Sequence, residues 1–173
     1  MPTDSSAIRG VLIERPQVHA DGRGRFSELY RAASMPHGFA QSNHSRSAPG
    51  VLRGLHYHRH QDDLWYVVRG RAQVALADLR VPGPDPLVET HVLDGEQPVT
   101  IYIPRGVAHG YLALGELDLI YWVTAEYDPT DELGVAWDDP SLGIPWQLDA
   151  PPVLSDRDAA NPALEWERIP SFA

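Results

Sequence analysis

The apolar residues of this chain come in short runs interrupted by turn-forming residues, which disfavours long helices and favours an all-β fold. Sixteen prolines and fourteen glycines are spread over 173 residues. Apolar or alternating runs of about four to eight residues between turns are typical of β-strands. The runs expected to form strands cover 8–13, 51–57, 64–68, 72–79, 88–92, 99–103, 111–114 and 117–124. Strands at this spacing predict a β-sandwich or barrel.

Turn residues and polarity guide the interpretation of the remaining segments. Residues 21–25 are expected to form a tight turn, and 26–33 a strand end that runs into a short helix. The polar run 41–47 is either a loop or a strand with one face toward a ligand. The proline-rich stretch 81–86 cannot be a central strand. The tail from residue 127 onward, with its spaced tryptophans, is expected to pack on the barrel or on a partner subunit.

Composition limits the possible function classes. The length suits one domain, 1–173, with enough residues for a hydrophobic core. The formal net charge of −10 argues against nucleic acid as a partner. No apolar run is long enough for a membrane span, and residues 1–6 lack the pattern of a signal peptide. Because cysteine is absent, disulfides and cysteine nucleophiles are excluded, and the cytoplasm is the expected compartment.

Lysine is also absent, since all fourteen basic residues are arginine. No mechanism in this chain can therefore use an ammonium side chain. Local clusters of arginine still allow an anionic small ligand, because guanidinium groups suit phosphate and carboxylate oxygens.

Two segments about fifty residues apart combine histidine with glycine turns. The first, Arg-Gly-Leu-His-Tyr-His, spans 53–58, and the second, Ile-Pro-Arg-Gly-Val-Ala-His-Gly, spans 103–110. In a small barrel these segments would bring His56, His58 and His109 into one concave site. The spacing resembles the two cupin motifs, in which histidines and an acid, here Asp63, bind one divalent metal. The four side chains would suit Mn, Fe, Ni or Zn.

Other segments, which together span nearly the whole chain, match one family in their order. They are 21–24 with Phe26 and Glu28, 41–45, 51–56, 103–110, Tyr121 with Tyr127, 137–140 with 143–144, and 154–155 with Asp158. On these residues the sequence resembles the dTDP-4-dehydrorhamnose 3,5-epimerase family. The resemblance implies an all-β, cupin-type β-barrel (jelly roll) with short peripheral helices, and a homodimer with strands exchanged between subunits.

The resemblance also implies an activity. Family members are isomerases of deoxysugar biosynthesis, including the rhamnose pathway. They epimerise C3 and/or C5 of a dTDP-4-keto-6-deoxyhexose by taking a proton next to the ketone. The family base matches His56, the aspartate that orients it matches Asp158, and the family acid matches Tyr121. The implied substrate-binding residues are Arg23, Phe26, Glu28, Gln41, Asn43, Arg53, His109 and Tyr127. Tyr127 would stack on the thymine, and no cofactor is implied.

Two positions depart from the family pattern and keep alternatives open. Asp63 stands where the family has the lysine that stabilises the enolate, and His58 stands where it usually has glutamine. A carboxylate beside a developing enolate repels it. A divalent ion on His56, His58, Asp63 and His109 would restore positive charge, but a metal-bound His56 could not also be the base. The hypotheses are therefore an epimerase with reduced or altered activity, a metal-dependent cupin enzyme, and a non-catalytic sugar-nucleotide binding protein.

Overall fold

The computed structural model describes residues 3–172, in which short strands make up most of the regular structure. The strands are β1 (Thr3–Asp4), β2 (Leu12–Glu14), β3 (Val18–Asp21), β4 (Gly24–Ser27), β5 (Gln41–Ser47), β6 (Leu52–Tyr57), β7 (Asp63–Arg69), β8 (Arg71–Asp78), β9 (Val88–Asp94), β10 (Thr100–Ile103), β11 (Val107–Ala113), β12 (Leu117–Val123) and β13 (Leu133–Gly134). A one-turn helix, α1 (Asp156–Ala159), and 3-10 turns at Ala32–Ser34 and Trp166–Arg168 complete the elements. The first two residues of the segment assessed as a signal peptide lie outside the described range.

Two antiparallel sheets form the body of the protein. The six-stranded sheet has the order β1-β2-β10-β7-β12-β5, and the five-stranded sheet has the order β13-β6-β11-β8-β9. Strands β3 and β4 form a separate hairpin. The predicted all-β jelly roll with short peripheral helices is confirmed. In the described part of the chain, no helix is long and apolar enough to cross a membrane.

The core lies between the sheets and also beneath the C-terminal segment. Side chains of both sheets meet in one buried cluster that includes Ile101 of β10 and Val74 of β8. Residues on the other face of β8, such as Ala75, pack in a second cluster with Trp146 and Trp166. Because both of its faces are covered, β8 is buried from Ala72 to its end. The tail therefore packs on the barrel of its own chain.

The strand predictions differ from the structure near the edges of the sheets and at the central strand β11, which begins at Val107, four residues before the predicted run 111–114. The run 8–13 contributes only its last residues, since the strand there is Leu12–Glu14. The polar run 41–47 is an edge strand, so the second of the two alternatives for it is correct. Its side chains alternate in exposure, and β12 pairs with it along its whole length. The segment 26–33 holds the end of β4 and, further on, the predicted short helical turn.

A pair of glycines brings β6 and β11 unusually close together. Gly54 has a φ of +120°, and a Cβ atom there would lie 2.7 Å from the Cα of Gly110. Only glycine fits this combination of backbone conformation and close contact. The pairing places His56 directly opposite His109, and a register shift follows between His109 and Tyr111. The two histidine segments of the sequence are therefore adjacent strands of one sheet.

The carboxylate of Asp139 fastens the C-terminal segment to the barrel. Its Oδ1 accepts a hydrogen bond from the Ser141 N–H at 2.9 Å, and its Oδ2 accepts one from the Leu164 N–H at 2.7 Å. Burial raises the pKa of Asp139, but the hydrogen bonds outweigh it and hold the pKa below its usual value. A lowered folded-state pKa gives stability that is present above the unfolded-state value of about 3.9 and is lost as the pH falls through the folded-state value.

We therefore expect Asp139→Asn to lower the free energy of unfolding by about 1–3 kcal/mol at neutral pH, since an amide N–H would face a backbone N–H. The variant should also lose less stability than the wild type as the pH falls below about 4. Urea denaturation across this pH range measures both effects. The exposed neighbour Asp138 provides the control variant Asp138→Asn. Equal losses in the two variants would contradict the assignment.

Candidate active site

One cavity of about 620 Å³ opens at the end of the barrel where both sheets contribute polar residues. This volume lies in the range of small-molecule sites. Its walls come from β5, β6, β7, β11 and β12, and its rim from residues around 125–132 and 155–158. The sequence-predicted residues that line it are Gln41, Asn43, Arg53, His56, His58, Asp63, His109, Tyr121, Tyr127 and Asp158.

A short charged contact in the cavity joins His56 and Asp158. His56 lies near the end of β6, and its Nε2 is 2.6 Å from Asp158 Oδ1. Asp158 sits in α1, whose first turn is capped by the Ser155 Oγ accepting from the Asp158 N–H at 3.1 Å. The carboxylate therefore accepts the Nε2 proton and fixes the tautomer of the ring. The other ring nitrogen, Nδ1, lies 4.0 Å from Oε1 of Glu132 at the rim.

The environment keeps Asp158 ionised. Burial raises the pKa of Asp158, but the hydrogen bond and charge of His56, together with the Ser155 hydroxyl and the Gly54 N–H, lower it below the usual value. Asp158 is only 5% exposed, whereas the His56 side chain is 20% exposed. A carboxylate held in this way orients an imidazole and stabilises its protonated form, which is the arrangement of a general base.

Tyr121 approaches from the opposite sheet. It lies on β12, between its pairing partners Asn43 of β5 and Trp65 of β7. Burial is the main cause that raises the pKa of its phenol, and the Asp63 carboxylate raises it further. The hydroxyl therefore keeps its proton at neutral pH and is suited to donate it. Each sheet supplies one of the two predicted proton-transfer residues, with the cavity between them.

A second part of the cavity is suited to a charged, polar ligand. Arg53 on β6 donates from Nε to Ser47 Oγ at 3.2 Å, while its side chain stays exposed. On β5, Gln41 Nε2 donates to Asn43 Oδ1 at 2.8 Å. The Oε1 of Gln41 accepts from the Tyr127 N–H at 3.0 Å, which fixes the backbone at the mouth of the cavity. Tyr127 is 61% exposed, so a ligand at the mouth of the cavity can reach its side chain.

Three predicted substrate-binding residues lie outside the cavity of their own chain. Arg23 and Phe26 are on the β3–β4 hairpin, and Glu28 follows it. Phe26 is 68% exposed, although it is a large apolar side chain. Arg23 pairs with Asp21, and Glu28 pairs with Arg31, all on the surface. Within one chain the structure does not bring these three residues to the site.

The predicted four-ligand metal set requires a correction. His58, Asp63 and His109 are buried, and their nearest ligand atoms lie within 4.8 Å of one another. His56 does not belong to this cluster, and its Nε2 contacts Asp158. The His109 pKa is lowered to about 4, first by burial and despite the nearby Asp63 charge, so the ring is neutral at pH 7. Asp63 does face the cavity.

Several cavity residues were not singled out from the sequence. Trp65 donates from Nε1 to Asp63 Oδ2 at 3.0 Å, and its ring meets that of His109 edge-on at 5.2 Å. Alternation along a strand places residues 63 and 65 on one face, so this neighbour of Asp63 was predictable. Gln61 and Glu132 lie in loops, where the sequence carries no periodic signal.

Known proteins resemble this chain along most of its length. The family model described as dTDP-4-dehydrorhamnose 3,5-epimerase matches residues 5–165. The chain is 40% identical over 148 residues to the spore coat polysaccharide biosynthesis protein SpsL of Bacillus subtilis, covering 82% of this chain and 98% of that protein. It is 36% identical over 171 residues to dTDP-4-dehydrorhamnose 3,5-epimerase of Salmonella typhimurium, covering 92% and 93%.

A solved structure shares the whole fold. It is the crystal structure of dTDP-6-deoxy-D-glucose-3,5-epimerase from Legionella pneumophila in complex with dTDP-4-keto-L-rhamnose. The TM-score is 0.90 with 31% sequence identity, and the alignment covers 99% of this chain and 98% of that one.

Proposed function

We propose that this chain, which belongs to the dTDP-4-dehydrorhamnose 3,5-epimerase family, inverts C3, C5 or both of a dTDP-4-keto-6-deoxyhexose. The observation that carries the proposal is the His56–Asp158 pair, with its 2.6 Å contact, in a cavity that also holds Tyr121. A base on one sheet and a phenol on the other suit removal of a proton from one face of a carbon and its return to the opposite face.

The proposed reaction needs two proton transfers. His56 takes the proton from the carbon next to the ketone, and the ionised Asp158 stabilises the imidazolium that forms. The bond electrons move toward the ketone oxygen and give an enolate. Tyr121 then donates its proton to the same carbon from the opposite face, and the product is the epimer. Asp63 and the absence of lysine distinguish this site from the family pattern, so we expect lower activity, a single epimerisation or a changed sugar.

The polar half of the cavity supports a nucleotide-linked substrate. The exposed guanidinium of Arg53 and the amides of Gln41 and Asn43 would hold the diphosphate, and Tyr127 would stack on the thymine. Arginine suits this role because its fork of donors matches phosphate oxygens and keeps its charge. With no cysteine to protect from reduction, the chain is compatible with the cytoplasm, where we propose that it acts.

Conversion of dTDP-4-keto-6-deoxyglucose, followed by proton NMR, tests the proposal. The coupling constants of the sugar ring should change as C3, C5 or both invert, and a matched sample of His56→Asn should leave them unchanged. A sugar that binds tightly and keeps its configuration would refute the epimerase proposal. That outcome would favour the non-catalytic binding protein.

We further propose a homodimer in which the β3–β4 hairpin of one subunit completes the cavity of the other. Two observations support this arrangement. The residues that the family pattern assigns to the substrate, Arg23, Phe26 and Glu28, lie away from the cavity of their own chain. Phe26 also exposes an aromatic ring on a hairpin that is not part of either main sheet.

Arg23→Gln tests this arrangement. We expect the Kd for dTDP to rise about tenfold, because a charge-assisted hydrogen bond to a phosphate is lost. The free energy of unfolding should not change, since the guanidinium is exposed in one chain. Calorimetric titration with dTDP, together with sedimentation to establish the oligomeric state, measures both. The exposed Arg168 supplies the control, Arg168→Gln. Unchanged affinity in Arg23→Gln, or full affinity in a monomer, would contradict the shared site.

A further inference from the structure

A buried cluster beside the proposed base contains three potential metal ligands, His58, Asp63 and His109. All three side chains are at least nine-tenths buried, with exposures of 8%, 3% and 4%. We propose that these three residues bind one divalent transition-metal ion, and that the His56–Asp158 pair stays free of it. The proposal stands on the hydrogen bonds that surround the cluster.

Both histidines are held in the tautomer that metal binding requires. His58 Nδ1 lies 3.0 Å from the backbone oxygen of Asp131, and His109 Nδ1 lies 3.0 Å from that of Val107. A carbonyl oxygen only accepts, so each Nδ1 carries the hydrogen and each Nε2 presents a lone pair. Metal-binding histidines are fixed in the same way, by a second partner on the other ring nitrogen.

The Asp63 carboxylate places a negative charge beside the Nε2 lone pairs of the two histidines. Its Oδ1 accepts from Gln61 Nε2 at 2.8 Å, and its Oδ2 accepts from Trp65 Nε1 at 3.0 Å. Its Oδ2 is also 3.9 Å from His109 Nε2, with no hydrogen between these two acceptors. Across residues 3–172, its only possible ion-pair partner is that histidine. A buried carboxylate without a cation is costly, and an ion at this point would neutralise it.

The spacing and the donor set fit one small cation. In tetrahedral coordination, bonds of about 2.0–2.1 Å place two ligand atoms of one ion about 3.4 Å apart. The ligand atoms here lie within 4.8 Å of one another, so side-chain rotations that bring the most distant pair closer by up to about 1.4 Å would complete the site. At present the amide of Gln61 bridges the gap, with Nε2 3.2 Å from His58 Nε2 and 2.8 Å from Asp63. An ion would displace this amide. Two imidazoles and one carboxylate with open positions suit Zn, Fe, Mn or Ni.

In this three-ligand site, His56 does not have to serve both as a metal ligand and as the base. Because the three ligands exclude it, a metal and a free imidazole base occupy the same cavity together. On the proposed function, a bound ion supplies positive charge for the enolate in a chain without lysine. Binding itself does not depend on that role, so the two are tested separately.

Titration of chelator-treated protein with Co²⁺ tests the site, with the visible absorption of the bound ion as the readout. Mass spectrometry of metal content after equilibration with Zn²⁺ gives the stoichiometry. We expect one ion per chain with micromolar or tighter affinity. Asp63→Asn and His109→Asn should weaken binding at least about tenfold. Circular dichroism identifies any variant that fails to fold, and His58→Gln then replaces it as a ligand variant.

The matched controls are the two other histidines of the cavity. His60 is exposed, so His60→Asn should bind the ion as the wild type does. His56→Asn should also keep the ion, and this result separates the three-ligand site from one that includes the base. No binding by the wild type, binding unaffected by the ligand variants, or loss of binding in His56→Asn would overturn the proposal. Metal binding without epimerisation would instead refute only the proposed function.

Discussion

Replacing His56 with asparagine should slow exchange of the sugar's carbon-bound hydrogen with solvent by about a thousandfold or more, because the imidazole is the only proposed base. Deuterium incorporation into dTDP-4-keto-6-deoxyglucose, read by mass spectrometry, measures the rate. Binding of dTDP should be nearly unchanged, since the groups proposed to hold the nucleotide lie on other parts of the cavity wall. A large loss of catalysis with intact binding is the signature of a proton-transfer residue.

Asp158→Asn should have an intermediate effect on the exchange rate. It keeps the shape of the contact with His56 but offers the ring a neutral partner, so exchange should fall less than in His56→Asn. His60→Asn changes another histidine of the same cavity and should exchange at the wild-type rate. Full exchange in His56→Asn would contradict the assignment. So would an equal loss of dTDP affinity, which would make His56 a binding residue.

The second large effect is expected from Tyr121→Phe, which removes the proposed acid. Deuterium should still enter the sugar, because His56 can take a proton and return one to the same face. The inverted product should fall by about a hundredfold or more, since nothing donates to the opposite face. Proton NMR of the recovered sugar separates the two results, because it reports both labelling and configuration.

Tyr66→Phe is the matched control for this experiment. Tyr66 lies on β7 next to Trp65, so its side chain leaves the opposite side of the strand and does not line the cavity. This variant should form the inverted product as the wild type does. Normal inversion by Tyr121→Phe would show that another group returns the proton.

The sequence predicts the fold better than the site, for a physical reason. Strands show in the sequence as a local alternation of apolar and polar residues, and turns show as glycine and proline. Nearly every central strand was therefore recognised. The His56–Asp158 contact joins residues 102 positions apart, and no local pattern contains it. Only the resemblance to a family with this pair made it predictable. The edge strand β5 stayed ambiguous because its polar residues face the cavity instead of a core.

The predicted four-ligand metal set shows that local sequence patterns do not fix the direction of side chains beyond the end of a strand. It placed His56 and His58, two residues apart in the sequence, as ligands of one ion. Strand β6 ends at Tyr57, so His58 lies in the loop that comes next. The alternation of side chains between the two faces of a strand no longer applies there. His58 bonds to the backbone of Asp131, while His56 turns to Asp158. The end of the strand therefore lies between the candidate base, His56, and the candidate metal ligand, His58.

Site-resolved deuterium exchange with the wild-type protein tests the central claim most directly. The protein is incubated in deuterium oxide with dTDP-4-keto-6-deoxyglucose, once after chelation and once with added Zn²⁺, and the recovered sugar is examined by proton NMR and mass spectrometry. The account predicts deuterium at C3, C5 or both, together with inversion at the labelled carbon. Tight binding of the nucleotide sugar with no deuterium at either carbon, in both samples, would contradict it.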